Sequence, residues 1–281
     1  MLVPFGLGVL LLLVLPLLLT FRYAFTDFTG FGTPTFNGLG NLRRALDDPA
    51  LTASLRASLF FVAVAVPLRL LLAAAMGIAL ARPLPGARLW RVLFYLPTVI
   101  PDVALAIVTL WLFNPRFGPV NAALRGVGLP EPVWLSTTWG ARWALVLMLL
   151  LPIGEGFLVV LAGRRSIEGP VYDAAAVDGA ARWQVLWYVT LPQLAPLLLA
   201  LTVRDTILTL QVNVAPAYLV TDGGPAYATL FLPVYVFDQA FEFLGFGYGA
   251  FLTIILMALT ASLCVLLAAL ARRFGWLSRV A

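Results

Sequence analysis

Seven polar or ionisable side chains interrupt the long apolar runs of this sequence: Arg69, Asp102, Glu155, Arg204, Asp205, Gln211 and Asn213. Inside hydrocarbon such groups are costly and face a bundle interior or a water-filled cavity, so each is a candidate for ligand contact. Arg204 and Asp205 are adjacent, so on a helix they point about 100° apart and one face cannot hold both closely. A catalytic reading needs acids gathered at one depth, and Asp102, Glu155 and Asp205 stand in different apolar segments. Plainer roles stay open: Arg69 can pair with a neighbouring helix, and Asp102, directly after Pro101, can cap backbone groups freed at a kink.

The remaining inventory excludes most bond chemistry. All 18 basic residues are Arg and there is no His. A phosphate-cradling loop ending in Gly-Lys-Ser/Thr, a Schiff-base lysine and a histidine base are therefore absent, and any nucleotide hydrolysis belongs to another chain. The single Cys264 lies in an apolar run and reads as packing; no metal ligand set and no catalytic residue are expected. A net charge of +5 comes from Arg residues scattered between apolar segments, which suits a lipid surface and gives no nucleic-acid footprint.

The elements that must position these groups are helices in a bilayer. Hydrophobic residues make up 62% of the 281 and charged ones 11%, against about 25% charged in soluble domains. The composition predicts an all-α, polytopic membrane protein, one domain over 1–281. Six stretches meet the length criterion for crossing: 2–21, 56–81, 93–113, 141–163, 194–219 and 249–271. The first lacks a basic flank and a small-x-small cleavage site, so it is expected to be a retained helix. Gly30 to Pro34, Gly38 to Asn41 and Arg82-Pro83-Leu84-Pro85-Gly86 punctuate the connectors. Arg82, Arg88, Arg91, Arg164, Arg165, Arg182, Arg272, Arg273 and Arg279 fall on one side, against Arg22, Arg43, Arg44, Arg116 and Arg125 on the other. By the positive-inside rule this places both termini in the cytoplasm. The aromatic segment 223–248 reads as an outer interfacial helix anchored in headgroups.

The connector 164–192 carries the strongest local signal. Pro170 suits a first helical turn, Asp173 complements the dipole of that turn, and Gly179 can end the helix with positive φ. A second amphipathic helix should follow, with Trp183, Leu186 and Trp187 at the interface. Ala174, Ala175 and Ala176 are expected to offer a small, smooth surface to a socket on another protein.

Asp173-Ala174-Ala175, Asp178-Gly179-Ala180 and Leu191-Pro192 together resemble the EAA loop of binding-protein-dependent ABC importer permeases, with Asp173 where that family usually has Glu. The resemblance extends over nearly the whole chain, through Leu96-Pro97, Ile100-Pro101, Trp111 and Gly118-Pro119-Val120-Asn121. Thr221-Asp222-Gly223-Gly224-Pro225 is similar to the Thr-x-Gly-Gly-Pro signature of the sugar and glycerol-phosphate branch. Glu168, where a Pro is common, and Glu155, where an apolar residue would be ordinary, depart from the pattern.

This resemblance implies a type I importer permease that supplies half of a translocation pathway by alternating access. It pairs with a second permease and sits on two ATPase subunits, which hold ATP and Mg; the chain itself binds no cofactor. An extracytoplasmic solute-binding protein delivers a carbohydrate or related polyol. The loop around Asp173 to Ala180 would be the coupling helix, and Gln211 and Asn213 fall where sugar-branch permeases line the pathway, with carboxamides suited to sugar hydroxyls. Two other readings compete: a membrane enzyme acting on lipid through carboxylates and Arg, and a lone ion-driven carrier, which requires an internal repeat.

Overall fold

Apolar runs of this length fold as helices because only a helix satisfies its own backbone hydrogen bonds where water is excluded. The computed structural model describes residues 2–82, 85–211 and 214–273; Asn213, Arg279 and the Pro83-Leu84 part of the connector from Arg82 to Gly86 lie outside the described residues. In chain order the main helices are α1 (Val3–Tyr23), α2 (Gly40–Leu46), α3 (Pro49–Ala79), α4 (Ala87–Val99), α5 (Asp102–Leu112), α6 (Pro119–Gly126) and α7 (Thr138–Leu150). They continue with α8 (Gly154–Ser166), α9 (Gly169–Val177), α10 (Arg182–Gln211), α11 (Val214–Thr221), α12 (Leu232–Phe237) and α13 (Phe246–Arg273). The described residues contain no strand, and one isolated bridge joins Thr26 to Phe36. Helices α1, α3, α10 and α13 are each long and apolar enough to cross a bilayer; the bent pairs α4/α5 and α7/α8 bring the number to six.

Two bends interrupt the spans expected at 93–113 and 141–163, the first at the kink that Asp102 follows. Between α4 and α5 the axis turns by 102°, because Pro101 forces Ile100 out of the helical region to ψ 126. Between α7 and α8 it turns by 48° at Leu151-Pro152-Ile153, where proline removes a donor and its ring crowds the preceding turn. The bends are tied together, since the Gly154 amide donates to Thr98 Oγ1 at 2.8 Å. The amphipathic helix after Gly179 and the next span are also one helix. A wide π turn over Val185–Thr190 comes just before Pro192, whose ring would clash with the Tyr188 carbonyl in a regular helix.

Helix α3 is the spine, about 46 Å long at 1.5 Å per residue, with α7, α8, α10 and α12 packed against it. Asp48 caps it, accepting from the amides of Ala50 and Leu51 at 2.9 and 3.2 Å. Small residues let α3 and α8 approach closely: a Cβ on Gly77 would stand 2.7 Å from Val160 Cβ and Cγ1. The main core gathers Phe61, Leu145, Met148, Leu210, Phe231 and Leu252, with the Phe61 and Phe231 rings edge to face at 4.3 Å. No residue in the apolar window of α1 is buried within the chain.

On the side opposite α9 the connectors knit into a cap. Asn41 Nδ2 donates to the Ala24 and Thr26 carbonyls at 2.8 and 2.9 Å, the Gly247 amide to the Phe28 carbonyl at 2.8 Å, and Arg44 to Gln239 at 2.7 Å. Asp48 Oδ2 accepts from the hydroxyls of Tyr235 and Tyr248. The expected interfacial helix over 223–248 is therefore corrected. Phe231, Tyr235 and Tyr248 are buried, and only Tyr227, Phe237, Phe241 and Phe243 of the larger aromatics are exposed. Period-free aromatic content did not reveal that α12 enters the core.

Candidate functional site

Four of the intramembrane candidates meet in one network. Arg69 on α3 stands 3.8 Å from Asp205 on α10 and donates to the Pro152 carbonyl at 3.0 Å, which is one of the acceptors freed by the bend between α7 and α8. Arg204 reaches Asp205 at 3.1 Å and pairs with Glu155 in the first turn of α8. The order Glu155, Arg204, Asp205, Arg69, Pro152 carbonyl alternates acceptor and donor, and its formal charges cancel. Glu155 also lies at a helix N-terminus, where negative charge is favoured.

Two expectations are corrected by this geometry. Adjacent Arg204 and Asp205 do meet, because the four-bond arginine stem curls back over the 100° that separates their Cα–Cβ directions. Glu155 and Asp205, scattered in sequence, converge on a single guanidinium. Asp102 stays apart: it is exposed in the first turn of α5. Gln211 ends α10 with an exposed side chain, seven residues after Arg204 and so on the same face, about 10 Å along the axis. Thr98 and Pro152, which hold the network's framework, were missed in the sequence; an in-span proline was the available signal.

The connector 164–192 folds as a helix, a turn and a helix. Helix α9 ends at Gly179, φ +71, where the Gly179 amide donates to the Ala176 carbonyl at 3.1 Å and the Ala180 amide to the Ala175 carbonyl at 3.0 Å. This double closure satisfies the last carbonyls and needs a residue free to take positive φ. Asp173, Ala174, Ala176, Val177 and Asp178 are exposed, Val177 at 88%. Ala175 instead turns inward, so the three alanines do not share one surface. Tyr172 anchors the helix, with Arg164 stacked 3.8 Å over its ring and its hydroxyl 3.3 Å from buried Thr190. Leu191 and Pro192 are half-buried in α10, while Trp183 and Trp187 are exposed and Leu186 is half-buried.

Thr221, Gly223, Gly224 and Pro225 form a hydrogen-bonded knot on the cap side. Thr229 Oγ1 lies 2.7 Å from Thr221 Oγ1 and 2.7 Å from the Gly224 carbonyl, while Asp222 and Gly223 take φ 48 and 73. Nearby, burial and the charges of Glu242 and Asp222 push the Asp238 carboxyl up to about 6. Asp48 moves the other way: burial alone would raise it, but hydrogen bonds from Tyr235, Tyr248 and the Leu51 and Ala50 amides hold it below the ordinary range.

With this geometry in place, comparison with known proteins decides the family. Residues 70–276 match the family described as binding-protein-dependent transport system inner membrane component. The chain belongs to that family. This permease is 32% identical over 269 residues to the probable ABC transporter permease protein YesP of Bacillus subtilis (strain 168), covering 94% of its own length and 86% of the relative's. It is also 32% identical to the lactose transport system permease protein LacF of Rhizobium radiobacter, over 85% of this chain and 82% of LacF. Its fold is that of a chain in the crystal structure of a bacterial ABC transporter involved in import of the acidic polysaccharide alginate, at TM-score 0.80, 20% identity and coverage of 97% and 93%. The permease is thus a multi-pass inner-membrane transport component, and its relatives lend no support to a lipid-acting enzyme.

Proposed function

We propose that this permease is one of two that together form the translocation pathway of an ATP-driven importer for a carbohydrate or related polyol. Its exposed α9, with Asp173, Ala174, Asp178 and the Gly179 turn, docks on one of two separate ATPase subunits, which bind ATP and Mg while this chain binds neither. A solute-binding protein delivers the solute at the cap formed by the connectors opposite α9. The Arg bias supports a cytoplasmic α9 and cytoplasmic termini. Polar groups facing the pathway are Glu155, Arg204 and Gln211, with Asn213 beyond the described end of α10; buried Asp205 and Arg69 serve the network from behind, and Asp102 stands near the bend.

The observation that carries this reading is a short helix held rigidly at the end of α8 and closed by two hydrogen bonds, yet exposing its apolar and acidic tip. An exposed Val177 beside two aspartates suits a protein socket better than water. The carbohydrate assignment draws support from the lactose permease LacF among the relatives. A mild-detergent pull-down of the tagged chain from its native membrane, with and without Asp178→Lys, tests it. Recovery of a second permease and an ATPase, with ATPase lost or uncoupled in the variant, is expected. Recovery of the chain alone under conditions that keep other complexes whole would sink the proposal.

A further inference from the structure

Arginines crowd the corner where α3 ends and α4 begins, at the same end of the bundle as α9. Arg82 follows α3, and Arg88 and Arg91 lie in the first two turns of α4. Arg165 comes one turn after Leu161, on the face of α8 that packs with Leu80 and Ala81. Arg91 donates to the Leu80 carbonyl at 2.9 Å, which ties α4 to the end of α3, and its Nε is buried without a hydrogen-bond partner. Arg82, Arg88 and Arg165 are exposed. The chain holds no Asp or Glu from Pro49 to Pro101, and among the described residues none of these four guanidiniums pairs with a carboxylate.

This charged corner heads an apolar strip. Along α4, Arg88, Arg91 and Tyr95 share one face at helical spacing, while Leu89, Leu93 and Leu96 share the opposite one. The three leucines are 62%, 46% and 57% exposed, and their strip runs about 10 Å along the axis. Trp90, exposed and stacked on Phe94 at 5.8 Å, stands at the charged end of the strip, the place an indole ring favours at a membrane boundary.

We propose that Arg82, Arg88 and Arg165 hold the headgroup of an anionic phospholipid whose acyl chain lies along Leu89, Leu93 and Leu96. A guanidinium fork matches phosphate oxygens in bidentate geometry, and basic corners between spans on the cytoplasmic side suit anionic headgroups. The occupant must be anionic at one end and apolar along the other, which is the form of a phospholipid. A second permease fits less well: by the positive-inside rule its own ends on this side carry excess arginine or lysine, so like charges would meet where this chain offers no carboxylate. The corner joins α4 to α8, which carries α9, so an occupied site makes the position of α9 answer to the anionic-lipid content of the leaflet.

The test follows the fluorescence of Trp90 in the complete complex in lipid nanodiscs, taken as the difference between that complex and its Trp90→Phe counterpart. Phosphatidylglycerol with brominated chains should quench Trp90 at a far lower mole fraction than phosphatidylcholine with the same chains. Arg82→Gln and Arg88→Gln should each raise the half-quenching mole fraction of phosphatidylglycerol about fivefold. Lys at both positions should keep most of the preference, which guards against loss of fold. Arg272→Gln with Arg273→Gln, an equal loss of charge at the end of α13, should leave it unchanged. Equal quenching by the two lipids, or an equal loss in the α13 variant, reduces the effect to general surface charge and overturns the site. Absence of quenching by either lipid means that a protein partner covers α4, and overturns it too. Glycerol phosphate in solution should not restore the emission; if it does, the corner binds a free phosphate and the lipid assignment falls.

Discussion

Substituting Gly179 isolates the backbone geometry of the α9 turn from its surface. A Cβ built there meets nothing within 4 Å and the residue holds φ +71, so the cost is conformational. An L side chain in the left-handed region costs roughly 1–2 kcal/mol, with Asn the mildest, Ala intermediate and β-branched Val the worst. At about 1 kcal/mol the ratio of closed to open turns falls about fivefold, and at about 2 kcal/mol about thirtyfold. Losing the turn releases the Gly179 and Ala180 amides from the Ala176 and Ala175 carbonyls and re-aims Asp178. Solute-stimulated ATPase activity and uptake in proteoliposomes should therefore decline in the order Gly, Asn, Ala, Val, with solute binding by the separate receptor unchanged. Four equal activities, or an Asn variant as impaired as Val, would refute the argument from positive φ.

Arg69→Met should lower the detergent melting temperature by the equivalent of about 1–3 kcal/mol, the cost of leaving the Pro152 carbonyl without its donor, while Asp205 keeps Arg204; adding Asp205→Asn, which restores neutrality, should recover part of it, and a purely additive double variant would contradict the pairing. Gly77→Val should destabilise the chain by about 1–3 kcal/mol or more through overpacking against Val160, and Val160→Ala should relieve it in the same melting assay. Asp48, held low by its hydrogen bonds, contributes stability that is present at neutral pH and fades as pH falls below about 4; Asp48→Asn should lower the neutral melting temperature and flatten that acid limb. Asp238, raised to about 6, works in the opposite sense: its contribution is full below about pH 4 and lost as pH rises through about 6. Asp238→Asn should thus raise the melting temperature at pH 7.5 and leave it unchanged near pH 4.

Helix content and the turn at Gly179 were legible because apolar length and a glycine after an alanine run are local signals. The bends at Ile100-Pro101 and Leu151-Pro152-Ile153 had their prolines in view, but hydropathy windows average across a proline. Whether the chain bends depends on partners far away: the Pro152 carbonyl is taken by Arg69, and the Gly154 amide by Thr98. The ion network was invisible as a network for the same reason, since helical spacing fixes where Arg204 starts and not where its long stem ends. Burial of Tyr235 and Tyr248 follows from their shared partner Asp48, almost two hundred residues earlier, a pairing that no local pattern encodes.

Helix α8 has a break at each end: the 48° bend at Pro152 behind it, and only Ile167 and Glu168 between its last residue and α9. Thirteen residues make it a rod of about 20 Å, clamped sideways to α3 at Gly77 but released from α7. A displacement applied at the exposed tip reaches Glu155 with little loss, because a stiff rod pivoting at a proline spends no work bending its neighbour. The same joint sets a limit: with a continuous helix from α7 through α8, any displacement of the tip would carry α7 along with it.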